Sequence, residues 1–130
     1  MGREIVIHSL DHARAALAAA AASGTDVTLA SAPGAALQAG PGWFKAVIEQ
    51  ASAAYPQVAV TAILDCGDQP GAAMAALRLG LRDLRFHGAA ELRPKLEDMG
   101  AVLAPPADAV LDLHTVTEPE AACAAFLRRD

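Results

Sequence analysis

Short runs of β-branched residues alternate with longer alanine-rich stretches along the whole chain, and this rhythm limits the possible folds more than any other feature. Ile5-Val6-Ile7-His8 reads as a strand, and a helix follows from about Asp11 to Ser23. Gly24 closes that helix, since glycine takes the left-handed C′ conformation without a Cβ penalty. Val27 to Ser31 is a second strand. A loop of small residues, Ala32 to Gly42, leads into a helix from about Trp43 to Tyr55, which Pro56 stops. Val58 to Leu64 forms a third strand that ends at Asp65-Cys66-Gly67-Asp68, where Asp68 suits the cap of a helix running to Leu79. Asp83 to His87 is a fourth strand. The segment after Gly88 is helical to about Met99, with Pro94 in its first turn, and Ala101 to Ala104 is a short fifth strand. Val110 to His114 carries a weaker sixth strand signal, and Thr117 with Glu120 spells a capping box for a last helix to about Arg128. Strand–helix units at this spacing imply a parallel sheet with right-handed crossovers. The expectation is a single α/β domain over residues 1–130, with about five βα units on a parallel sheet, flavodoxin-like or half-barrel-like.

Composition narrows the function classes. A chain of 130 residues with 54% hydrophobic content buries enough surface to fold without disulfides or a structural metal. A net charge of −5 speaks against a sequence-independent grip on nucleic acid or on an anionic membrane, since both need a basic face. The two cysteines, Cys66 and Cys123, have no framework spacing, which suits a reducing compartment. No apolar run approaches the roughly 20 residues of a spanning helix, and the first residues lack a signal-peptide core. A soluble cytoplasmic protein is expected, with neither nucleic acid nor membrane as partner.

The strands are not uniformly apolar, as strands covered on both faces would be. Val58, Val60, Ala62 and Leu64 alternate with Ala59, Thr61, Ile63 and Asp65, and Leu84 and Phe86 alternate with Arg85 and His87. One sheet face is therefore polar or small. A barrel lumen, a ligand cleft, a subunit contact or an uncovered edge strand would each produce this pattern.

Ligands of parallel α/β sheets bind beyond the carboxyl ends of the strands. Those ends carry His8 and Ser9, Ser31, Asp65 with Cys66, and His87. A strand order of 2-1-3-4-5 would make the first, third and fourth strands neighbours and gather His8, Asp65, Cys66 and His87 at one rim. Two imidazoles, a thiolate and a carboxylate make an acceptable zinc set; strand-end histidines in structural hydrogen bonds are the alternative. Asp65 directly follows an apolar strand, a setting that suits a carboxyl engaged in proton transfer, and is the candidate acid/base. Asp68 either caps a helix or touches a ligand. Arg85 stands out among Arg78, Arg82, Arg93 and Lys95, because a strand interior is an unusual place for a guanidinium and an anion would explain it. Gly34, Gly40 and Gly42 match neither phosphate-loop pattern, and loop geometry accounts for them.

Ser31-Ala32-Pro33-Gly34-Ala35, Ala39-Gly40, Phe44-Lys45-Ala46-Val47, Tyr55-Pro56, Val58-Ala59-Val60, Leu64-Asp65-Cys66-Gly67 and Ala76-Leu77-Arg78-Leu79-Gly80-Leu81 occur in this order. Together they resemble the amino-terminal half of class II, zinc-dependent ketose-bisphosphate aldolases, over about Ile5 to Gly88. The resemblance implies that Asp65 occupies the place of a catalytic acid/base and that Ser31 lies near the substrate. Cys66 stands where the family has a zinc histidine, and His87 where it has an aspartate. The aldolases are eight-stranded barrels whose later strands bring further zinc histidines and phosphate-binding loops. With those departures, the resemblance to their first half implies a half-barrel-like or flavodoxin-like five-stranded relative without aldol cleavage.

Two functions fit these residues. The first is a self-associating domain that binds a small polar or phosphorylated ligand at the strand rim through Ser31, Arg85 and Asp68, a homo-oligomer being the commonest cover for an open parallel sheet. The second is a small metal-assisted lyase or isomerase with Asp65 as acid/base, His8, Cys66 and His87 as metal ligands and zinc as the cofactor.

Overall fold

Strands and helices alternate over most of the described residues. The computed structural model describes residues 3–128. Among these the strands are β1 (Arg3–Ile7), β2 (Val27–Ser31), β3 (Val60–Asp65), β4 (Asp83–Arg85), β5 (Val102–Leu103) and β6 (Ala109–Asp112). The helices are α1 (Leu10–Ser23), α2 (Ala35–Gln38), α3 (Pro41–Ala54), α4 (Pro70–Arg78), α5 (Arg93–Asp98) and α6 (Pro119–Leu127). The strands form one all-parallel sheet in the order β5-β4-β3-β2-β1-β6. The α/β class holds, and the weak sixth strand is real. The order 2-1-3-4-5 does not hold, because β2 lies between β1 and β3. A right-handed crossover is satisfied on whichever side the next strand is added. Here strands two to five are all added on the same side, so the reversal that a 2-1-3-4-5 order contains never occurs.

Helix ends follow local chemistry. Ser9 caps α1, its Oγ accepting the His12 N–H at 3.1 Å, and Gly24 ends the helix at φ 66°. Two expected caps are absent. Gln69, not Asp68, precedes α4, and Glu118 precedes α6 without any side-chain cap, so the Thr117–Glu120 box does not form. Proline sets both starts instead: Pro70 and Pro119 fix φ in the first turn, where a missing N–H costs nothing.

The chain comprises two compact units. The first holds the described residues up to 30, residues 47–62, and those from 107 onward. Its core contains Ile5, Ile7, Leu17, Leu29, Leu113 and Cys123. Fully buried Ala13, Ala16 and Ala20 let α1 lie close on α6. β1 and β6 pair with Ile5 opposite Leu111 and Val6 opposite Asp112.

The second unit holds residues 31–46 and 63–106. Phe44, Leu64, Cys66, Leu84, Phe86 and Leu96 form its core. Leu64 pairs with Leu84 and Leu84 with Leu103, whereas Asp65 pairs with Arg85 and Asp83 with Val102. Paired residues share a face. One face thus presents Leu64 and Leu84, both fully buried, each removed from water with a gain of roughly 1.5–3 kcal/mol. The other carries Asp65, Asp83, Arg85 and the exposed Val102. The polar or small face expected from the alternation is present in this unit.

Candidate functional site

Three strand ends meet inside the second unit. Ser31 ends β2, Asp65 ends β3, and His87 lies just beyond β4. Asp65 is buried, and its carboxylate has fixed partners. Oδ1 accepts the N–H of Gly34 at 3.1 Å and of Gly67 at 2.9 Å. Both glycines have positive φ, 70° and 59°, which turns their N–H groups toward the carboxylate and is strained for any residue with a Cβ. The Asp65 N–H donates to Ser31 Oγ at 2.9 Å, and that hydroxyl donates to the Ala32 carbonyl at 3.3 Å. Ser31 therefore secures the backbone of Asp65 and has its hydroxyl engaged in doing so.

The second carboxylate oxygen, Oδ2, lies 3.4 Å from His87 Nε2. The Asp65 side chain is only 8% exposed, the His87 side chain 59%. A buried, backbone-anchored carboxylate thus backs an imidazole that faces water. The His87 N–H donates to Gly67 O at 2.7 Å, and Arg93 Nη1 donates to Phe86 O at 2.9 Å, so the peptide that joins Phe86 to His87 is held at both its N–H and its carbonyl. Chemically the pair can orient an imidazole for proton exchange or for hydrogen bonding to a ligand.

Other expected site residues fall elsewhere. Cys66, next to Asp65, turns to the opposite face, as alternation along a strand requires. It is fully buried, its thiol donates to Leu64 O at 3.7 Å, and burial with the neighbouring Asp65 charge pushes it up to about 11. Its side chain thus lies in the core of the second unit rather than at the solvent-facing rim. His8 belongs to the first unit, where Nε2 meets Asp112 Oδ1 at 2.7 Å. With β2 between β1 and β3, the expected grouping of His8, Cys66 and His87 does not form. Among the described residues no group of three or more His, Cys, Asp or Glu is placed to hold a metal ion. Zinc does not fit this rim. Asp68 is exposed and accepts from Gln69 Nε2 at 2.8 Å. Arg85 donates through Nη2 to Pro105 O at 2.7 Å, which ties down the loop after β5.

The sequence reading missed the N–H groups of Gly34 and Gly67 as anchors. Gly34 and Gly67 each lie within three residues of a strand end, and that position was the available signal. It also missed His12, Asp112 and His114, which surround His8; the spacing of four between His8 and His12 across the Ser9 cap was the clue. Among the described residues no helix is long and apolar enough to cross a membrane. No known family model matches the chain, and no curated protein matches it significantly.

Proposed function

We propose that the rim formed by Ser31, Asp65 and His87 binds a small polar or phosphorylated molecule, with His87 making the contact and Asp65 holding the imidazole in place. The observation that carries this reading is the contrast within the pair. A nearly buried carboxylate, anchored by two backbone N–H groups, stands beside an imidazole that is mostly exposed. An imidazole backed in this way keeps most of its ring free to meet a ligand. The location agrees, since ligands of parallel α/β sheets gather beyond the carboxyl ends of strands. The resemblance to the aldolases adds that Ser31 and Asp65 stand at positions near the substrate.

The test uses the labelled chain and two probes, inorganic phosphate and dihydroxyacetone phosphate, followed by NMR. Saturable shifts at the amides of Gly34, Gly67 and His87, lost in His87→Ala, are expected. Unmoved amides at millimolar levels of both probes overturn the reading.

A second reading, a small lyase or isomerase, is favoured by the same pair. Asp65 has Oδ1 occupied and Oδ2 turned to His87, so here His87 would exchange the proton and Asp65 would orient it. Solvent deuterium entering dihydroxyacetone phosphate next to its carbonyl, and lost in His87→Ala, separates catalysis from binding alone.

Self-association belongs to the first reading. β5 and β6 are the sheet edges, and Val102 and Val110 on them are 57% and 55% exposed, apolar edge surface that a second copy would cover. Light scattering that finds a monomer at tens of micromolar removes this part of the proposal.

A further inference from the structure

Three of the four histidines in the chain crowd together in the first unit, around the Asp112 carboxylate and outside the rim of Ser31, Asp65 and His87. His8 follows β1, His12 lies in the first turn of α1, Asp112 ends β6, and His114 belongs to the short 3₁₀ turn Leu113–Thr115. The His8 imidazole meets Asp112 Oδ1 through Nε2 at 2.7 Å, and the same oxygen accepts the His114 N–H at 2.9 Å. The backbone N–H of His8 donates to His12 Nδ1 at 3.0 Å. The His8 ring stands edge-on to His12, with centroids 5.8 Å apart, and tilted against His114 at 4.9 Å. One residue thus joins two connections: its ring ties β1 to the end of β6, and its backbone ties β1 to the start of α1.

We propose that this cluster is a pH-operated latch, closed while His12 is neutral and released when His12 takes a proton. The chemistry of one bond sets the direction. His12 Nδ1 accepts a backbone N–H only as a lone pair, so the closed form requires the tautomer with hydrogen on Nε2. Protonation at Nδ1 would set one N–H against another. The groups facing His12 from each neighbouring element are His8 after β1, Asp11 within α1, Asp112 on β6 and His114 on the 3₁₀ turn. Burial, then the adjacent His8 and, less strongly, His114, hold His12 below the ordinary imidazole value of 6.5, while Asp11 and Asp112 pull the other way. The positive end of α1 also disfavours a cation in its first turn. The Asp112 carboxylate oxygen that meets the cluster is already shared by His8 and His114.

Release follows from linkage. The opened segment takes a proton near 6.5 and the closed one only at lower pH. Opening therefore grows by up to about tenfold per unit as pH falls below about 6.5. The test is amide hydrogen exchange at His8 in the full chain between about pH 7.5 and about pH 5.5, expressed as protection relative to an unstructured peptide. The wild type should lose protection at His8 across this range, while amides in the middle of β1 keep theirs. His12→Asn, which retains an acceptor near Nδ1 but does not titrate, should show flat protection. The same loss in His12→Asn as in the wild type overturns the proposal, and so does unchanged wild-type protection. Should the variant fail to fold, the nitrogen shifts of the wild-type ring decide the matter. The Nε2–H tautomer at about pH 7.5, converting to imidazolium in step with the loss of His8 protection, supports the latch. An imidazolium already present at about pH 7.5 overturns it.

Discussion

Asp65 faces His87 across 3.4 Å with one carboxylate oxygen, while its other oxygen accepts two backbone N–H groups from glycines of positive φ. The carboxylate is thus a structural keystone of the second unit as well as the partner of the exposed imidazole. Asp65→Ala leaves the Gly34 and Gly67 N–H groups without their acceptor. A fully buried donor left unmet costs roughly 1–3 kcal/mol and these two are half-buried, so the variant should lose about 1–3 kcal/mol in urea unfolding. Asp65→Asn keeps an acceptor oxygen and should lose less than half as much. A loss under about 1 kcal/mol in Asp65→Ala would mean that water replaces the carboxylate, and the anchoring role would fall. His87→Ala removes a mostly exposed ring and opens Asp65 Oδ2 to water, so it should cost less than Asp65→Ala while abolishing ligand shifts.

Gly88 makes a sharper demand on space. A Cβ there would overlap Phe86 Cζ, and it would lie 2.8 Å from Phe86 Cε1 and 2.9 Å from the Asp68 carbonyl oxygen. Phe86 is buried in the core and the carbonyl is backbone, so neither yields cheaply. Gly88→Ala should therefore destabilise by about 1–3 kcal/mol, the usual cost of overpacking. The displacement should also reach His87, its chain neighbour, and shift its ring resonances. Wild-type stability in this variant would show that the turns around Asp68 and Gly88 adjust freely.

Strand and helix positions were legible because local chemistry writes them twice, once in the alternation of β-branched and alanine-rich segments and again in Ser9, Gly24 and Pro56. That Asp65 and His87 lie near each other was legible because a parallel sheet brings its strand ends to one side. Strand order was not legible. The side on which each strand is added depends on which helix face meets which sheet face, and a helix such as α1, LDHARAALAAAAAS, offers alanine on nearly every side. The error in order carried the zinc set with it. Cys66 was misplaced for a simpler reason: it follows Asp65 directly, and neighbours in a strand point apart. Asp68 and Thr117 looked like caps by type and spacing, yet prolines at 70 and 119 decide where those helices begin.

Cys66 and Cys123 give a prediction that needs no variant. Both are fully buried, and burial, with Asp65 beside one and Glu120 near the other, pushes each thiol up to about 11. The thiolate is the reactive form, so near-neutral solution leaves both inert. A disulfide-exchange reagent should find no reactive thiol in the native chain and two after denaturation. Fast stoichiometric labelling of the native protein would show that one of them reaches solvent as a thiolate, and would reopen Cys66 as a ligand.

Asp112 sets the acid limit of the first unit. Burial pushes its carboxyl up, but the His114 N–H and the His8 imidazole more than offset this and hold it below the ordinary value of 3.8. The folded carboxyl thus binds a proton less readily than the unfolded one. Its stabilising contribution is complete above pH 3.8 and is lost as pH falls through the lower, folded value. His12 behaves with the same sign at higher pH, since its folded value is also depressed: stability begins to fall below 6.5. Urea midpoints followed from neutral pH downward should decline in two stages, the first beginning near 6.5 and the second near 3.8. In Asp112→Asn the second stage should weaken, and the wild-type advantage over the variant should shrink steadily below pH 3.8 until the two curves meet. A constant offset between the two down to about pH 2 would show that the charge on Asp112 contributes nothing and that its oxygen serves only as an acceptor for His114.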